Sequence, residues 1–94
     1  MKSPDEILTI ILSILKKNDV CKAGLFGSYA KGEYDEESDI DLLVEFRGDK
    51  SLLDLVGLKI ELEEKTGKKF DVITYSSLYP RLRDIILSEA ISLL

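Results

Sequence analysis

The sequence contains no histidine and only one cysteine, Cys21. The missing imidazole excludes nucleophilic catalysis by a Ser–His or Cys–His pair, and it excludes zinc sites built on histidine. A single cysteine forms neither a disulfide within the chain nor a thiolate metal cluster. Since Cys21 lies in an apolar run, we expect it to be a small buried residue. Any acid–base chemistry therefore falls to carboxylates, lysine or tyrosine.

The chain also lacks a long apolar run and an excess of basic residues. No stretch reaches the roughly 20 apolar residues of a membrane-spanning helix, and acids follow Pro4 where a signal peptide would be positively charged. A net charge of −5 disfavours general nucleic-acid binding, because phosphate neutralisation supplies most of that affinity. A nucleotide whose phosphates are screened by Mg²⁺ remains compatible. We expect a cytoplasmic protein without a membrane partner.

The composition is globular, with 45% apolar and 33% charged residues in 94, and it predicts a single domain over residues 1–94. Apolar spacing, capping residues and turns predict the order α-β-α-β-α-β-α, an α/β (α+β) fold. Residues 90–94 either extend the last helix or form a short edge strand. The predicted elements are helix 4–17, strand 20–26, helical turn 28–31, strand 40–46, helix 51–66, strand 70–74 and a last helix from Ser76-Ser77 to about Ser88.

The third helix carries two further expectations. Four leucines at helical spacing predict its buried stripe. Gly57 lies inside this helix, where it costs up to about 1 kcal/mol against alanine, and close packing is the one explanation that the sequence offers. The four leucines are Leu52, Leu55, Leu58 and Leu62.

Three aspartates are the candidate catalytic and metal-binding residues. Asp39 and Asp41 alternate with apolar residues of the second strand, so both face away from the core, and Asp71 does the same in the third strand. If these strands are neighbours, three carboxylates converge and can share divalent ions. A lone Asp-x-Asp would more often be a pair of solvated residues, and the acidic loop at 33–38 is interpreted as solvated.

The turn after the first strand is a candidate phosphate site. Gly27 lets the backbone approach a ligand closely, and Ser28 adds a hydroxyl donor at a helix start. The alternative is an ordinary turn with a helix cap. Lys31 either reaches a phosphate or is an exposed solubilising charge.

Together these pieces form a more specific pattern than any one of them. Residues 27–44 contain Gly-Ser, a ten-residue spacer and Asp-Ile-Asp-Leu, followed later by Phe70-Asp71-Val72. This order and spacing resemble the polymerase-β-type nucleotidyltransferase superfamily. The short chain is similar to its minimal branch, the MNT domains. The resemblance implies a nucleotidyltransferase fold, in which helices flank a small mixed β-sheet.

The resemblance also implies an activity and a partner. A Mg²⁺-dependent two-metal enzyme would transfer a nucleoside monophosphate, AMP from ATP, to an acceptor hydroxyl. MNT domains are commonly paired with HEPN proteins, and some adenylylate a tyrosine of a HEPN toxin. The family usually has arginine at the position of Lys31, so phosphate binding there loses bidentate geometry.

Two alternatives remain open. The chain could be an antitoxin or binding module that neutralises its partner by contact with little or no catalysis. It could instead modify a small molecule or an RNA end, although the lack of a second domain and of basic surface weighs against both. The sequence determines neither the acceptor nor whether the chain forms a homo-oligomer.

Overall fold

The computed structural model describes residues 3–32, 35 and 37–94, so Glu33, Tyr34 and Glu36 of the predicted acidic loop lie outside the described residues. The elements follow the predicted order, with a short 3₁₀ helix and one more strand near the C-terminus. Their bounds are α1 Pro4–Lys17, β1 Val20–Phe26, α2 Ser28–Lys31, β2 Ile40–Phe46, α3 Leu52–Thr66, β3 Phe70–Thr74, the 3₁₀ helix Tyr75–Ser77, α4 Pro80–Glu89 and β4 Ile91–Ser92.

The sheet formed by the described strands is mixed, in the order β3-β2-β1-β4. β1 is antiparallel to β2 and to β4, whereas β2 and β3 are parallel. A parallel pair needs a crossover connection, and α3 provides it. The predicted architecture of a small mixed sheet flanked by helices is therefore confirmed.

The core lies between one face of the sheet and the helices α1 and α3. Alternate residues of β2 and β3 enter it, as the period-two pattern predicts. The Ser3 hydroxyl caps α1 by accepting from the Glu6 backbone N–H at 3.2 Å. Buried members of this core include Ile11, Leu15, Ala23, Ile40, Leu42, Val44, Leu58, Leu62, Phe70 and Val72.

Cys21 is exposed, so the prediction of a buried cysteine is wrong. The strand register advances from Val20 opposite Phe46 to Lys22 opposite Glu45, which leaves Cys21 as the extra residue of a β-bulge. The bulge shifts the alternation by one residue. The Cys21 thiol then lies 3.4 Å from the Glu45 carbonyl oxygen, outside the core.

The third helix is also exposed where we expected burial. Leu58 and Leu62 are fully buried, but Leu52 in the first turn is 74% exposed and does not belong to the buried stripe. Gly57 is exposed, and a Cβ built there would meet no atom within 4 Å. Close packing within the described chain therefore does not explain this glycine.

The C-terminal segment differs from the prediction in where its helix starts. Residues 75–77 form the 3₁₀ helix, and α4 begins at Pro80 rather than after Ser76-Ser77. Proline disfavours α geometry in the residue before it and suits the first helical position, so Tyr79 ends the loop. The edge-strand alternative for residues 90–94 is correct. No helix of the described chain is long and apolar enough to cross a membrane.

Candidate active site

The three candidate carboxylates occupy the sheet face opposite the core. Asp41 lies in β2 and is paired in register with Asp71 of β3, while Asp39 directly precedes β2. Their apolar neighbours Ile40 and Val72 are buried on the other face. The alternation that buries these neighbours is what turns the aspartates outward.

The three charges influence one another. Burial raises the pKa of the half-buried Asp41, and the negative charges of Asp71 and Asp39 raise it further. Asp39 and Asp71 are exposed. A bound cation would stabilise these carboxylates, because its positive charge offsets their mutual repulsion.

The backbone of Gly27 lies directly against the Asp41 carboxylate. A Cβ built on Gly27 would collide with Asp41 Oδ2, and the residue has φ 73° and ψ −150°, a region used almost only by glycine. The β1–β2 register pairs Phe26 with Asp41, so β1 ends beside this carboxylate. Ser28 begins α2 immediately afterwards. The Gly-Ser turn and the carboxylates therefore form one continuous site.

Lys31 lies at the end of α2 and has an acidic partner. Its Nζ is 3.6 Å from a carboxylate oxygen of Glu89 in α4, and both side chains are partly exposed. The pair links the turn region to the C-terminal helix. An exposed pair of this kind contributes little stability, about 0–1 kcal/mol, so Lys31 can exchange this partner for a phosphate at small cost.

The donor set fits a hard divalent cation, since it consists of carboxylate oxygens only. Among the described residues, no three His, Cys, Asp or Glu side chains converge closely enough to hold an ion. Magnesium is usually bound by one or two carboxylates together with substrate phosphates rather than by a complete protein cage. An open oxygen face beside the Gly-Ser turn, the candidate phosphate site, agrees with that mode of binding.

The sequence analysis overlooked one basic residue near this face. The Ile40 N–H donates to the Lys69 carbonyl oxygen at 2.9 Å, as part of the first register pair of β2 and β3, Ile40 opposite Phe70. Lys69 and Asp39 are therefore the residues that directly precede this pair in the two segments. No local sequence pattern marks Lys69, because its position near this face depends on the pairing of β3 with β2.

A family model described as the nucleotidyltransferase domain matches residues 6–93, nearly the whole chain. The chain belongs to the nucleotidyltransferase domain family. Members of this family typically use a divalent metal ion. The resemblance inferred from the Gly-Ser turn and the three aspartates is thereby confirmed at the level of the family.

Two relatives indicate which members of the family the chain resembles. The chain is 57% identical over 90 residues to a candidate protein adenylyltransferase of Methanocaldococcus jannaschii, covering 96% of this chain and 97% of that protein. It is 39% identical over 72 residues to the protein adenylyltransferase MntA of Thermococcus cleftensis, covering 77% of this chain and 73% of MntA. The chain is therefore similar to protein-modifying members of the family.

Solved structures share the fold. A candidate minimal nucleotidyltransferase is 40% identical and superposes with a TM-score of 0.79, covering 89% of this chain and 86% of that one. An MNT antitoxin in complex with a tri-AMPylated HEPN toxin of Shewanella oneidensis superposes with a TM-score of 0.73 at 20% identity, covering 94% of this chain and 69% of that one. At that identity the second likeness concerns the fold alone.

Proposed function

We propose that this nucleotidyltransferase transfers AMP from ATP to a hydroxyl of another protein, a tyrosine of a HEPN-type partner. The observation that carries the proposal is the contact between Gly27 and Asp41, with Asp71 paired beside Asp41. This contact supports the proposal because it brings the Gly-Ser turn, the proposed phosphate site, directly against the carboxylates. The relatives named as protein adenylyltransferases support the choice of a protein acceptor.

In the proposed mechanism, Gly27 and Ser28 hold the terminal phosphates through backbone N–H groups and the Ser28 hydroxyl. Asp39 and Asp41 would hold Mg²⁺, and Asp71 would share in binding a second ion. When bound, the metal offsets the charge that develops on the triphosphate. Lys31 adds a positive charge at the edge of the turn after leaving Glu89.

Asp71 has a further proposed role on the acceptor side. Its carboxylate takes the proton of the acceptor hydroxyl as the oxygen forms a bond to the α-phosphorus. The bond between the α-phosphorus and the oxygen bridging to the β-phosphate breaks, and pyrophosphate leaves with that electron pair. The product is the acceptor protein carrying a nucleoside monophosphate on oxygen.

Co-expression with a HEPN partner and intact-mass spectrometry of that partner test the proposal. We expect the partner to gain the mass of one or more nucleoside monophosphates with the parent enzyme. The gain should disappear with Asp39→Ala and with Asp41→Ala. An unmodified partner in the presence of the parent would overturn the proposal.

The alternative function is neutralisation by contact alone. An antitoxin of that kind would still suppress partner toxicity as the Asp39→Ala variant, because a solvated aspartate is not needed for binding. An enzyme would lose protection with the same substitution. Growth assays with the parent and this variant therefore separate the two candidates.

A further inference from the structure

The two strands that flank β2 place different groups on the two sides of the carboxylate face. β1 flanks β2 on one side and brings Gly27 against Asp41, whereas β3 flanks β2 on the other side and brings Asp71 to the same level. The Gly-Ser turn and Asp71 thus lie on opposite sides of Asp41. A molecule that spans the face must run from β1 across β2 to β3.

The geometry of phosphoryl transfer determines on which side of the site the acceptor and the leaving group lie. The attacking and leaving oxygens lie roughly in line on opposite sides of the reacting phosphorus. The inference rests on the proposed function, in which the terminal phosphates bind at Gly27 and Ser28. The leaving pyrophosphate is then on the β1 side, so the acceptor hydroxyl enters from the β3 side.

A cleft of about 470 Å³ lies at the start of β2 and β3, and no described residue of β1 or of the Gly-Ser turn lines it. Lys69 lines it and directly precedes the Ile40–Phe70 pair, so the cleft adjoins the carboxylate face where β2 and β3 begin. The other residues of its lining are Glu37, Ser38, Gly67 and Lys68. The cleft is large enough to take a few side chains of an extended segment.

The charge of this cleft differs from that of the protein. Among the described residues that line the cleft, Lys68 and Lys69 are basic and Glu37 is acidic, whereas the whole chain has a net charge of −5. Lys69 is exposed and forms no ion pair with any described residue. A local positive charge in an acidic protein attracts acidic partners, and beside three aspartates it also orients them.

We propose that this cleft is the acceptor entrance and that Lys68 and Lys69 bind acidic residues flanking the acceptor hydroxyl. The lysines would contact the acceptor polypeptide, whereas the Gly-Ser turn and the aspartates would bind the nucleotide. The substrate class is a protein segment with carboxylates near its tyrosine. Sequence selection by the enzyme would then reside largely on the β3 side of the site.

Two fluorescent tyrosine peptides test this proposal, one with three glutamates on each side of the tyrosine and one with glutamines there. Binding is measured by anisotropy with Mg²⁺ and a non-hydrolysable ATP analogue, for the parent and for Lys68→Gln/Lys69→Gln. The matched control is Lys16→Gln/Lys59→Gln, which removes two exposed lysines outside the cleft. Thermal melting verifies that all three proteins are folded.

We expect the parent and the control to bind the glutamate peptide about 3- to 10-fold more tightly, a preference that falls at high salt. The Lys68→Gln/Lys69→Gln variant should bind both peptides equally and keep its nucleotide affinity. Equal binding by the parent, or a preference that survives in the cleft variant, overturns the proposal. A loss of nucleotide affinity without a change in peptide preference would assign the lysines to the triphosphate instead. Preferential binding without nucleotide transfer to tyrosine would contradict the proposed function alone.

Discussion

Gly27 is constrained both by its backbone conformation and by the position of the Asp41 carboxylate. Its backbone has φ 73° and ψ −150°, and the space for a Cβ is occupied by the Asp41 carboxylate. We expect Gly27→Ala to destabilise the fold by about 1–3 kcal/mol from backbone strain. The displaced carboxylate should also cost most of the Mg-nucleotide affinity. Urea denaturation and calorimetry with ATP and Mg²⁺ measure the two effects.

Gly32 provides the matched control. It has the same φ of 73°, but a Cβ there meets no atom within 4 Å. Gly32→Ala should therefore cost about 1 kcal/mol of backbone strain and leave nucleotide binding unchanged. If both variants lose affinity equally, the contact between Gly27 and Asp41 is not what shapes the site.

The ionisation of Asp41 makes the stability of the metal-free protein depend on pH. Because its pKa in the folded state is raised above the ordinary value of 3.8, the ionised carboxylate destabilises the metal-free fold. That penalty is present at pH values above the folded pKa and is relieved as the pH falls through it toward 3.8. In EDTA at about pH 7, Asp41→Asn should melt at the parent's temperature or higher.

Melting curves of both proteins from about pH 7 to about pH 4 check this expectation. The advantage of Asp41→Asn should shrink as the pH decreases, because protonation relieves the same repulsion in the parent. An advantage that is constant over this range would arise from something other than the charge of Asp41.

Element boundaries were largely predictable from the sequence, and the errors have local causes. β2 and β3 show regular alternation because one face packs on the core. The bulge at Cys21 was not predictable, because the register of the partner strand decides which residue is left unpaired. The burial of Leu52 in the first turn of α3 was predicted from helical spacing. That spacing does not show whether another element covers this residue.

Gly57 makes a prediction about the third helix. It is exposed and its Cβ position is empty, so Gly57→Ala should stabilise the free protein by up to about 1 kcal/mol through helix propensity. Urea denaturation of the isolated protein measures the change. The contrasting variant is Gly67→Ala at the end of the same helix, where φ is 72° and alanine should destabilise. A destabilised Gly57→Ala would show that the helix does not tolerate a side chain there.

For the whole molecule, the site should appear as a change in stability on binding. A ligand that binds only the folded state stabilises it by about 2.7 kcal/mol at a hundred times its dissociation constant. We expect Mg²⁺ with ATP to raise the melting temperature of the parent strongly and that of Asp39→Asn much less. Asp84→Asn, an exposed substitution in α4, should respond like the parent. Equal protection of all three proteins would contradict a site at Asp39.

The site as a whole was predictable only in part. Strand parity placed Asp39, Asp41 and Asp71 on one face, because side-chain direction follows from sequence once the core residues are known. Three features depend on strand order and helix placement: the proximity of Gly27 to Asp41, the pairing of Lys31 with Glu89, and the position of Lys69 at the start of the β2–β3 pairing. These features arise from tertiary structure and have no local sequence signal.

The two-residue strand β4 has a consequence for the behaviour of the protein in solution. It pairs with β1 at Gly24 and Leu25, and Leu93 N–H donates to the Ala23 carbonyl at 2.8 Å. Without residues 91–94, the outer edge of a seven-residue strand would present unpaired backbone groups to other molecules. A chain truncated after Ala90 should therefore form β-rich aggregates at concentrations where the parent remains dispersed. Light scattering and thioflavin fluorescence would show whether this short strand is the feature that prevents sheets of neighbouring molecules from joining edge to edge.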